Sequence, residues 1–165
     1  MHILLSILVV IASIYLGDWK NWKRYYPTML FIALSNLLYK LFALTYFHLW
    51  EALPNFLLLD KLSVYFLHVF IINPFSAFLF LSNYPKTKGA QVFHTAKWIL
   101  IYLVLEWIAV HNGSINHYKD WNMGWSALFV IVMFLLLRIH FLYPFRALVL
   151  SLFLTLFYLI VFDYL

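Results

Sequence analysis

Ionisable side chains inside an apolar helix are the groups most able to do chemistry in this chain, and the stretch Gln91 to Asn112 carries His94, Lys97 and Glu106. Its wholly apolar part, Trp98 to Val110 less Glu106, is too short to cross a ~30 Å hydrocarbon core at ~1.5 Å per residue. A crossing helix must therefore begin near Gln91 and take all three with it. An acid at that depth costs on the order of 3 kcal/mol on insertion scales, so Glu106 requires a partner or a wet cavity. Counting ~1.5 Å per residue from the starts of two neighbouring spans, Pro27 and Gln91, puts Lys40 roughly 20 Å and Glu106 roughly 22 Å above the same surface. Asn36 lies one turn below Lys40, and His68, counted inward from Leu57 on the other side, comes roughly 16 Å down. Tyr102 stands four residues before Glu106 on the same face, whereas Lys97 points the opposite way. These counts predict a buried polar cluster of Asn36, Lys40, His68, Tyr102 and Glu106, with Lys40 and Glu106 facing each other as an ion pair. Asn73-Pro74 predicts a kink and candidate hinge, with Asn73 capping the carbonyl that Pro74 leaves without a donor.

Other chemistries lack their residues. The chain has no cysteine, which excludes disulfides, thiolate metal sites and cysteine nucleophiles. His111, His117 and Asp120 are of metal-ligand type but lack helical i, i+4 spacing and a fourth ligand, so no metal and no cofactor is expected there. Glycine-rich phosphate loops, a His-Glu-x-x-His motif and a nucleophile elbow are all missing. Asn112-Gly-Ser114 has the form of a glycosylation sequon and reads as a turn. His94 and His140 are expected at the inner interface.

The elements that must position these groups follow from composition. Of 165 residues 66% are apolar and only 10% charged, against roughly 25% charged in a soluble domain. The net charge of +5 sits at the ends of apolar runs and is a topology signal, not a nucleic-acid surface. Six spans are expected, at about 2–16, 27–50, 57–81, 91–111, 121–137 and 144–162, forming one all-α integral membrane domain over 1–165. The first has no basic residue before it and no cleavage site after it, so it is expected to stay as a span and not to be removed as a signal peptide. Gly17-Asp18, Ser82 to Gly89 and Asn112-Gly113 supply the turns, and Pro27 and Pro144 suit first helical turns.

Lys20, Lys23, Arg24, Lys86, Lys88, Lys97, Arg138 and Arg146 all fall on one side of such a bundle. Glu51, Asp60, Asp120 and Asp163 fall on the other, with Lys61 and Lys119. The positive-inside rule then places both termini outside the cytoplasm.

Gly17-Asp-Trp-Lys-Asn-Trp22, Tyr26-Pro-Thr-Met29, Leu81-Ser-Asn-Tyr-Pro-Lys86, Glu106-Trp-Ile108 and Trp121-Asn-Met-Gly-Trp-Ser126 together resemble a family of short multi-spanning membrane proteins of endospore-forming Firmicutes. The resemblance covers essentially the whole chain. It implies a bacterial inner-membrane location and, since no activity attaches to that family, no chemistry. It also implies Asp at position 36 and Asn at position 40 in many relatives, so a Lys40 to Glu106 pair would not be common to the family.

The function expected from these residues is binding or passage of an ion or small solute through the polar cluster. The rival readings are a membrane-embedded enzyme acting on lipid, with Glu106 and His68 as acid and base, and a scaffold or accessory subunit. The lipid bilayer is the expected surrounding, no nucleic acid is expected, and the thin bundle would suit a homodimer or a larger membrane partner.

Overall fold

The computed structural model describes residues 1–45, 48–54 and 60–164. The expected start of the third span near Leu57 lies outside the described residues. The chain is mainly helical: α1 (His2–Leu16), α2 (Trp22–Thr45), α3 (Lys61–Phe66), a π-helical segment (Leu67–Ile72), α4 (Asn73–Ser82), α5 (Lys88–His111), α6 (Met123–Leu142) and α7 (Pro144–Val161). Two short strands, β1 (Trp50–Ala52) and β2 (Ile115–His117), pair antiparallel with Trp50 opposite His117 and Ala52 opposite Ile115.

Local chemistry sets several of these boundaries. The Asp60 carboxylate accepts from the Ser63 amide at 2.8 Å and caps α3. That bond holds its carboxyl below the usual carboxylate range. Asn122 caps α6 by accepting from the amides of Gly124 and Trp125, and Pro144 occupies the first turn of α7. Pro27 lies further inside α2 than expected, because the helix already starts at Trp22, whose ring meets Tyr26 edge-on at 5.6 Å. The other end of α2 is Thr45, so Trp50 belongs to β1 and not to the second span. α6 runs on past the expected end at Leu137. Arg138 lies 4.1 Å from the Tyr84 ring centroid, and the His140 ring bonds Thr28 Oγ1 at 2.9 Å inside the bundle. His94 is also buried, with its Nε2 3.0 Å from the Phe80 carbonyl oxygen, so both histidines point into the bundle. Each satisfies a polar group between helices.

Among the described residues four helices are long and apolar enough to cross a membrane: Lys61–Ser82 taken as one rod, α5, α6 and α7. A fifth crossing results if α1 and Trp19–Phe42, which meet at 90°, count as one bent span. The chain therefore has the makeup of a multi-pass membrane protein. The Lys61–Ser82 rod is the most buried of these helices and α7 the least. Around it packs a core of rings: Phe80 against Phe134 at 4.9 Å, Phe78 against Tyr25 at 5.5 Å, and Tyr25 stacked on Phe141 at 5.4 Å. Such ring pairs interlock helices where no hydrophobic driving force separates protein from lipid.

The bundle has two distinct ends. At one, the Asp18 amide bonds Ser82 Oγ at 3.2 Å, Asn83 donates to the Leu16 carbonyl at 3.0 Å, and the Trp19 indole donates to the Ser13 carbonyl at 2.6 Å. Gly17 lets the chain pass this close to the Phe78 ring, where a Cβ would collide with it. Hydrogen bonds from Asn21 and then Tyr25 hold the Asp18 carboxyl below its ordinary range. The opposite end is closed by the β pair, and it carries the site.

Candidate functional site

The β pair exists because the chain reverses at Asn112-Gly113, with Gly113 at φ +65. Ser114 then bonds back to the Ala109 carbonyl at 2.7 Å and accepts from the Leu53 amide at 2.8 Å. This return stroke carries His117 back over the last turns of α5. Its Nε2–H donates to Glu106 Oε1 at 3.0 Å. The same oxygen accepts from the Ser126 hydroxyl of α6, which itself accepts from the Trp121 indole N–H at 2.8 Å. Glu106 is thus tied to a strand and to a neighbouring helix, both bonds falling on one carboxylate oxygen.

The expected Lys40 to Glu106 pair is not formed: among the described residues no ion pair joins them. Lys40 is 4% exposed and its ammonium lies 4.3 Å from the Tyr65 ring centroid, 4.4 Å from that of Trp50 and 5.5 Å from that of Tyr39. Ring faces, not an acid, meet this charge. The acid nearby is Glu51, buried on β1. It accepts from the Tyr65 hydroxyl at 2.7 Å, pairs with the Lys61 ammonium, and has His48 Nε2 at 3.4 Å.

His68 meets His2 across α1, Nε2 to Nδ1 at 3.0 Å, and His2 Nε2 lies 3.1 Å from the Leu53 carbonyl oxygen. The carbonyl can only accept, so for two neutral rings the order is fixed: His2 donates to Leu53 through Nε2, and His68 donates to His2. A 15-residue α1 spans only ~22 Å, and its first turn packs beside His68.

The Asn73-Pro74 element also differs from expectation. Asn73 caps no freed carbonyl with its side chain. Its backbone N–H bonds the His68 carbonyl in the wide π register, and the change of register runs over Leu67–Ile72 immediately before the proline. The rod is long and apolar enough to form one crossing. A π turn relieves the ring clash with the preceding turn without an Asn cap.

These groups surround a cavity of about 550 Å³. Asn36, His68, Tyr102 and Glu106 are on its wall, together with His2, Asn73 and Ser126; Lys40 is behind the wall. The remaining surface is mainly Leu, Ile, Val, Phe and Met side chains from α1, α2, α5, α6 and α7. Asn36 Oδ1, Trp98 Nε1 and Tyr158 Oη are buried without a hydrogen-bond partner, and all three residues are on this wall. Native interiors leave few such atoms. Lining ends with Phe31, Leu79, Trp98 and Leu137, so none of residues 17–21, 83–87 or 143 takes part.

Comparison with protein-family models, with curated proteins and with solved structures finds no match. The chemistry of the site rests on its own geometry: one carboxylate, a histidine pair and a set of aromatic rings on the wall of a mainly apolar chamber.

The depth counted along the sequence groups Glu106, His68, Asn36 and Tyr102, and all four line one chamber. It missed His117, Ser126, His2 and Glu51. A reversal at Asn112-Gly113 of about the length of one α5 turn was the available signal for His117.

Proposed function

We propose that this protein crosses the bacterial inner membrane six times, with both termini outside the cytoplasm, and binds a small amphiphilic molecule in its chamber. The observation that carries the reading is the shape and lining of the cavity. At about 550 Å³ it falls within the roughly 300–1,000 Å³ of small-molecule sites. Hydrocarbon walls interrupted by a few polar groups, Glu106 and His68 among them, suit a molecule with an apolar body and a polar head. Because the lining stops short of the connections at the cationic end, binding is favoured over passage through the bundle.

The acid–base reading is less well supported. Glu106 is engaged by His117 and Ser126 while His68 is engaged by His2, so no hydrogen bond links the two as partners in proton transfer.

Six crossings require α1 and α2 to count separately. Supporting this, the His2 end of α1 lies beside Leu53 and its Leu16 end beside Asn83, while α2 runs from the Phe78 ring at Tyr25 to Trp50 at Tyr39. Each thus joins the two ends of the bundle. In this Cys-free chain Asn116→Cys is expected to react with an impermeant maleimide on intact cells, and Lys86→Cys only after the membrane is opened. Equal labelling of both on intact cells would contradict the orientation.

Binding is tested with dodecanol added to the protein in nanodiscs, read by tryptophan fluorescence. Saturable binding is expected, and Ser35→Phe, which places a ring on the chamber wall, should weaken it at least about ten-fold, or 1.4 kcal/mol. Non-saturable uptake identical in the two proteins would overturn the proposal.

A further inference from the structure

We infer that the occupant of the chamber carries a positive charge: an amphiphile ending in an ammonium group, its head held at Glu106 beside Trp121 and Tyr158. The inference rests on the binding reading above and specifies the chemical class of its ligand.

The first support is an uncompensated carboxylate. Both hydrogen bonds to Glu106 fall on Oε1, from His117 and Ser126, and among the described residues none reaches Oε2. The residue faces a chamber with mainly hydrocarbon walls. Such a charge requires a partner in its own surroundings. The lysines of this end are committed elsewhere: Lys40 to the rings of Tyr65, Trp50 and Tyr39, Lys61 to Glu51, and Lys119 to the ring of Tyr164. Among the described residues, the only basic group within ion-pair distance of Glu106 is the imidazole of His117, which is not a permanent cation.

The second support is the aromatic character of the wall next to it. The Trp121 indole donates to Ser126 and so stands one hydroxyl away from the carboxylate. Tyr158 lies with its ring centroid 5.9 Å from that of Trp121, and both are on the wall. Ring faces attract ammonium groups, most strongly where water is excluded. The same end of this chain already seats one ammonium in that way, that of Lys40. An anionic head would meet the Glu106 charge, and a neutral head would leave it uncompensated.

The test compares three probes of equal chain length on the wild-type protein in zwitterionic nanodiscs: dodecyltrimethylammonium, dodecanol and dodecanoate. The ammonium probe is expected to bind at least about ten-fold more tightly than the other two. Glu106→Gln should bring the three to within about two-fold of one another. Should that variant fail to fold, dicyclohexylcarbodiimide, which modifies carboxyl groups in apolar surroundings, decides on the wild type. Dodecyltrimethylammonium is expected to protect Glu106 from modification, read by peptide mass, and dodecanol is not. Equal affinities, a preference that survives Glu106→Gln, or absence of protection would each overturn the inference while leaving the chamber a binding site. Absence of saturable binding by every probe would remove the binding reading, and this inference with it.

Discussion

Glu106→Gln is expected to lower the stability of the detergent-solubilised protein by about 2 kcal/mol, since hydrogen bonds to charged groups contribute about 1.5–3 kcal/mol. The carboxylate accepts from His117 and Ser126, and its side chain is only 19% exposed, so solvent screens the loss little. The decisive comparison is a pair of double-mutant cycles followed by thermal unfolding. Glu106 and His117 should show a coupling of about 1–2 kcal/mol, as residues in contact do. Glu106 and Lys40 should be additive within about 0.5 kcal/mol, because they share no partner. A large Lys40 coupling together with a negligible His117 coupling would mean that the carboxylate faces α2 and that the return stroke of β2 does not hold it.

Tyr65 performs two tasks at once, which makes its truncation costly in two steps. Its hydroxyl donates to the buried Glu51 and its ring lies under the Lys40 ammonium. Tyr65→Phe removes only the first and should cost about 1–2 kcal/mol, reduced from the full value for a charged acceptor because Lys61, 53% exposed, still pairs with Glu51. Tyr65→Leu removes the ring face as well and should cost a further ~1–2 kcal/mol, the size of a desolvated cation–π contact. Urea or thermal unfolding of both variants separates the contributions. Equal losses in the two would show that the ring does nothing for Lys40.

The helical, multi-pass character was legible because it depends on local signals: long apolar runs, turn residues such as Gly17 and Asn112-Gly113, and the caps Asp60 and Asn122. What the sequence concealed depends on direction and return. Counting residues from a surface gives the depth of Lys40 and Glu106 but not the face each presents. Depth alone made them partners, whereas rotation about the helix axis turns Lys40 toward Tyr65 and Trp50. β1 and β2 are three residues each, too short for an alternation pattern to be read, so neither the burial of Glu51 nor the placing of His117 over Glu106 was visible. Pro74 marked a disturbance in the rod. Nothing in the residues distinguished a capped kink from the π turn that precedes it.

The most direct measurement is photolabelling of the wild-type protein in nanodiscs with a diazirine-bearing dodecanol, mapped by peptide mass. Label is expected on the peptides containing Asn36, Trp98 to Tyr102 and Trp121 to Met133, which line the chamber, and excess unlabelled dodecanol should compete it away. Label on the exposed face of α7, at Phe145 and Phe153, should persist under the same competition, because it reports contact with bulk lipid. Uniform, uncompeted labelling of chamber and lipid-facing peptides alike would contradict a binding chamber in this bundle.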